Sequence, residues 1–133
     1  MTHPGILFMR ALAPLPLGVV RALGNALGRL LFVAARPRRR IALTNLRLCF
    51  PHWTEAERVA LARRNLVYFT QAFLDRSWLW HGDPAVVRQR LRITGAVDDL
   101  TREGAVVMFA PHFYGMDAGG KIGTFVETKN STI

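Results

Sequence analysis

His112 and Asp117 stand five residues apart in the run Pro111-His112-Phe113-Tyr114-Gly115-Met116-Asp117. An imidazole whose one ring nitrogen is held by a carboxylate keeps the other nitrogen free as a base. Such a base can take the proton of a hydroxyl as it attacks an acyl carbonyl, with the substrate's own alcohol standing where a hydrolase has its serine. The same spacing recurs at His52 and Glu57, where Glu57 is committed to a helix cap, so the setting decides. Ahead of His112 lies Ala105–Ala110, six apolar residues between Gly104 and Pro111, which reads as a buried strand of an α/β sheet. Ligands of open α/β sheets bind outside the carboxyl ends of strands. The competing reading is a structural histidine bonded to a backbone carbonyl at a strand end. His52 and His81 fall in loops at the two ends of a helix and are assigned no chemistry.

The elements that must position this pair read as follows. Leu91–Thr94 is a short strand and Val97–Arg102 a helical turn. Thr54-Glu55-Ala56-Glu57 is a capping box, and the helix it opens runs to about Trp80. Val59, Ala62, Leu66, Phe69, Phe73 and Trp80 form its apolar stripe, a core face or an interfacial aromatic belt. Ile41–Phe50 is a short helix or extended segment, with Cys49 buried and inert in the apolar run Leu48-Cys49-Phe50. One cysteine excludes an internal disulfide and a cysteine-based zinc site.

The front of the chain is apolar and basic. Of 18 Lys+Arg against 9 Asp+Glu, eight arginines and no acid fall in residues 1–50. Pro14 and Pro16 interrupt any helix there, and Leu17–Ala35 follows as a helix on which Arg21, Asn25 and Arg29 make one polar stripe. That pattern suits a helix in a membrane interface, with Arg36, Arg38, Arg39 and Arg40 adding positive charge against an anionic leaflet. A buried core helix and a cleaved signal peptide are the duller readings. Nucleic-acid patches interleave aromatics or accompany a known module, and neither is evident, so no nucleic-acid partner is expected.

Two contiguous strings carry a resemblance. Arg-Arg-Arg-Ile-Ala-Leu-Thr-Asn-Leu-Arg-Leu-Cys-Phe-Pro (residues 38–51) and Gly-Ala-Val-Val-Met-Phe-Ala-Pro-His-Phe-Tyr-Gly-Met-Asp (residues 104–117) follow a hydrophobic anchor. The chain thereby resembles the bacterial lipid A late acyltransferases, the lauroyl/myristoyl transferases of lipopolysaccharide synthesis. The resemblance implies an enzyme at the cytoplasmic face of the inner membrane. It would move a fatty acyl chain from acyl carrier protein to a hydroxyl of a lipid A precursor. His112 would be the general base and Asp117 its acidic partner, with anionic membrane lipids as neighbours and no metal or cofactor.

The fold expected is therefore α/β: membrane-associated helices, then the first strands of a lysophospholipid-acyltransferase-like domain, truncated. Residues 1–40 are the anchoring segment, 41–120 the start of the acyltransferase domain and 121–133 an atypical tail. The tail holds both lysines and no Arg, Ala, Leu or Pro. That composition implies a stretch foreign to the domain, from a frameshift, a premature stop or a truncated gene model. Two other readings stand beside the enzyme: a non-catalytic membrane-associated fragment, and a small basic binding protein.

Overall fold

A computed structural model of the chain describes residues 3–92, 94, 114 and 116–121. Its regular elements are the helices α1 (Pro4–Leu12), α2 (Leu17–Ala34), α3 (Arg36–Cys49), α4 (Glu55–His81) and α5 (Pro84–Arg90). Residues 116–121 are helical as well. The chain forms two compact units, Leu15–Asp75 in one and Met1–Pro14 with Arg76–Ile133 in the other.

The helix boundaries follow local chemistry. His3 caps α1 by accepting from the Gly5 N–H at 3.3 Å, with Pro4 in the first turn, where its missing donor costs nothing. The prolines at 14 and 16 separate α1 from α2. Ala35 alone separates α2 from α3, at φ −84° and ψ 62°, and Pro37 occupies the first turn of α3. The capping box at α4 forms in both directions. Glu57 N–H donates to Thr54 Oγ1 at 3.3 Å, and Thr54 N–H donates to Glu57 Oε2 at 2.7 Å. Asp83 caps α5 through the Ala85 N–H at 2.7 Å.

In the Leu15–Asp75 unit, α2 buries Val20, Gly24, Gly28 and Phe32, one residue per turn. The two glycines bring its backbone against α4. A Cβ on Gly28 would lie 2.5 Å from the Val67 Cα, and one on Gly24 would lie 2.7 Å from the Gln71 Cγ. At that separation Thr70 Oγ1 donates across to the Gly24 carbonyl at 2.6 Å. Gln71 Nε2 donates to the Arg21 carbonyl at 3.2 Å, and Arg21 Nη2 pairs with Asp75 Oδ2 at 3.0 Å. Partners descend along α2 as they ascend along α4, so the helices are antiparallel, packed through small residues. The α3–α4 connection is clamped. Arg58 donates to the Phe50 carbonyl at 3.0 Å and the Pro51 carbonyl at 2.9 Å, Arg47 Nε donates to Glu55 at 3.2 Å, and Phe50 stacks on Trp53.

Several expectations are corrected. The fold is not α/β: the described structure is all-helical. Leu91 N–H still bonds the Val87 carbonyl at 3.0 Å, ending α5, and Leu91, Arg92 and Thr94 then carry no regular structure. A strand needs a neighbour to take up its N–H and C=O groups, and no described segment supplies one. The turn expected at Val97–Arg102 and the strand expected at Ala105–Ala110 lie outside the described residues. On α4, Phe69, Phe73 and Trp80 of the expected stripe are 42–46% exposed. The buried positions include Ala62, Thr70, Leu74, Trp78 and Leu79. A glycine seam requires a small partner such as Thr70, and an aromatic there would hold the helices apart. Arg36–Arg40 open α3 rather than close α2. Cys49 is exposed, because α3 buries none of its residues.

Replacing Gly28 by Leu should lower unfolding stability by about 1–3 kcal/mol or more through overpacking. Gly18→Ala, with open space around it among the described residues, should change stability by less than about 1 kcal/mol; denaturant titration reads both. The Thr54 backbone and hydroxyl hold Glu57 below the ordinary carboxylate range, and Arg47 does the same for Glu55. A lowered folded value stabilises above the unfolded pKa and is lost as pH falls through the folded one. Acidification through and below about pH 4.3 should therefore fray the start of α4, read as faster amide exchange there. Thr54→Ala should show that fraying at neutral pH. Native protein should couple a maleimide at Cys49 without denaturant.

Candidate active site and its basic surroundings

The segment at 116–121 lies along the end of α4 in the unit that holds them both. Asp117 Oδ2 accepts from Arg76 Nε at 2.8 Å. One turn further on each element, the Lys121 ammonium sits 5.2 Å from the centre of the Trp80 ring. Two contacts, each displaced by four residues in the same sense, align the segment with α4. Asp117 is thus held as an oriented carboxylate, with Oδ2 engaged by Arg76. Tyr114, three residues earlier, has its phenol pushed up by burial, so it is a neutral hydroxyl at physiological pH. Arg90 lies over the Trp78 ring at 5.3 Å in the same unit.

His112 lies outside the described residues, so its distance to Asp117 is not among the observed contacts. The six arginines singled out from sequence have distinct settings. Arg21 turns toward Asp75 on α4, and Arg39 donates to the Phe32 carbonyl at 3.2 Å with its guanidinium 5.5 Å from that ring's centre. Arg29, Arg36, Arg38 and Arg40 are exposed. Sequence reasoning missed Arg76, which sits 41 residues from Asp117. Its only local signal is its place beside the aromatic end of α4. Among the described residues, no three His, Cys, Asp or Glu side chains gather as a metal site.

α2 is the one described helix long and apolar enough to cross a membrane, with 18 residues of mean hydropathy 1.4, of which 22% are buried. Its outer face carries Val19, Leu23, Leu30 and Val33, each well exposed.

The sequence profile described as bacterial lipid A biosynthesis acyltransferase matches residues 1–130. The chain belongs to the bacterial lipid A biosynthesis acyltransferase family. A lipid A biosynthesis acyltransferase of Haemophilus influenzae is 28% identical over 121 residues, covering 89% of this chain and 38% of the relative. A second protein of that name from the same organism is 28% identical over 123 residues. The lipid A biosynthesis palmitoleoyltransferase of Escherichia coli is 27% identical over 122 residues, covering 89% of this chain and 39% of the relative. The chain thus spans less than two-fifths of the length of these acyltransferases. No solved structure matches it.

Proposed function

We propose that this chain serves acyl transfer in lipid A biosynthesis, moving a fatty acyl group from acyl carrier protein to a hydroxyl of a lipid A precursor at the cytoplasmic face of the inner membrane. The observation that carries this reading is the family match over residues 1–130. In it, His112 takes the proton of the acceptor hydroxyl as the oxygen attacks the thioester carbonyl. A carbon–oxygen bond forms, the carbon–sulfur bond breaks, and the proton passes from His112 to the departing thiolate. Asp117 orients the imidazole. With Oδ2 engaged by Arg76, Oδ1 is the oxygen that receives the ring N–H. In that role the Asp117 carboxylate stabilises the imidazolium that forms.

The basic surroundings support a membrane setting. Arg29, Arg36, Arg38 and Arg40 face outward from helices whose apolar residues are also exposed, a distribution that suits anionic headgroups above an acyl layer. Arg21 and Arg39 join them only in part, since each already engages α4 or α2. A second reading, a membrane-associated chain without transfer activity, is favoured by the exposed apolar and arginine residues of α2 and α3, which offer a membrane surface independent of the His112–Asp117 pair.

The test is transfer of labelled acyl chain from acyl carrier protein to a lipid A precursor. His112→Ala should lower turnover by about 10²–10⁴-fold, and Asp117→Asn should lower it in the same direction. Turnover unaffected by His112→Ala would overturn the role given to that residue. Binding to anionic vesicles with no turnover in the unsubstituted chain would establish the second reading.

A further inference from the structure

α3 and α4, both in the Leu15–Asp75 unit over this stretch, enclose an open groove of about 600 Å³. That volume lies within the range of about 300–1,000 Å³ usual for small-ligand sites. From α3 it is lined by Arg38, Ile41, Ala42, Asn45 and Leu46, which recur at helical spacing on one face. From α4 come Leu61, Ala62, Asn65 and Leu66. The hairpin is antiparallel and pinned at one end by Arg47 and Glu55. Arg38 and Asn65 therefore stand together at the far end, while Leu46 and Leu61 stand nearer the clamp. The groove is cationic at one end and, apart from Asn45, apolar along the rest.

Among the described residues, no acidic side chain compensates the cationic end. Arg36, Arg38, Arg39 and Arg40 occupy the first turns of α3, which has no acidic residue in its first turn. The N-terminus of a helix is itself the positive end of the macrodipole. Arg39 is drawn to the Phe32 carbonyl and ring. Arg38 is exposed at the mouth of the groove, and no carboxylate among the described residues pairs with it. An anion at this end would relieve repulsion that the fold leaves standing.

We infer that the α3–α4 groove binds one anionic glycerophospholipid, its phosphate on Arg38 and an acyl chain along Ile41, Leu46, Leu61 and Leu66. Asn65 supplies amide groups beside the phosphate and glycerol. This goes beyond general attraction of the surface arginines to a membrane: it is a discrete site with one occupant. It rests on the membrane setting proposed above and not on acyl transfer.

The test purifies the 133-residue chain in neutral detergent, incubates it with mixed phosphatidylcholine and phosphatidylglycerol, and reads retained lipid by native mass spectrometry. Equimolar retention of phosphatidylglycerol, without phosphatidylcholine, is expected. Arg38→Gln should lower retention about tenfold, the size of a lost charge-assisted contact. Asn65→Trp, which fills the groove from an exposed position, should abolish it with the helical circular dichroism unchanged. Arg64→Gln, which removes the same charge from a neighbouring position outside the groove, should leave retention unchanged. Equal losses in Arg38→Gln and Arg64→Gln, or full retention in a folded Asn65→Trp, would overturn the site. So would displacement by glycerol 3-phosphate, which has the headgroup charge and no chain, or a second copy of the chain in place of lipid. Vesicle flotation reads the membrane setting separately: a groove variant that still floats but retains no lipid separates the two claims.

Discussion

In the Leu15–Asp75 unit, α2 meets the backbone of α4 at two glycines, and the polar contacts between the two helices follow from that approach. Gly24 and Gly28 leave no side chain between the helices, so Thr70 can reach a backbone carbonyl of the other helix. That carbonyl already accepts within α2, and the Thr70 hydroxyl engages it through its second lone pair. The polar contacts at Arg21, Gln71 and Asp75 lie on the same line. They favour this register, because sliding the helices by one turn would part Thr70 from the Gly24 carbonyl, Gln71 from the Arg21 carbonyl and Arg21 from Asp75 together.

A second consequence concerns how apolar surface is divided. Because the buried stripe of α2 is glycine, valine and one phenylalanine, its larger apolar residues are turned outward. A soluble core would have used leucine inside and arginine outside. Here leucine and arginine share the outer surface, and the interior is held by close approach and hydrogen bonding. Phe32 is the exception that ends the seam, with the guanidiniums of Arg39 and Arg63 within 5.5 Å of its ring centre. These stacked cations shield the apolar end of α2 where α3 begins.

What could be read from sequence was whatever depends on neighbours along the chain. The capping box at Thr54 and Glu57 and the proline break before Leu17 are settled within three or four residues, and both stand as read. The family was legible because residues 38–51 and 104–117 are contiguous strings. The polar contacts that define the α2–α4 seam and the Asp117 carboxylate join residues 41–54 positions apart. No periodicity in α4 announces that Thr70 rather than Phe69 or Phe73 faces inward, since that choice is made by the glycines on another helix. The strand expected at Leu91–Thr94 is absent among the described residues for a related reason. Alternation of apolar and polar side chains describes a face, and a strand exists only when another backbone completes it.

Ala35 is a single residue between an 18-residue apolar helix and a helix that opens on four arginines. One residue offers two dihedral angles, and both are spoken for by the turn. The height of the arginines relative to the apolar helix is therefore not adjustable. Whatever sets how far α2 sinks into an apolar layer sets the level of the guanidiniums with it, and a thinner or thicker layer cannot be met at one end alone. In the membrane setting proposed above, the two helices would form a fixed depth gauge, graduated by the residue that joins them.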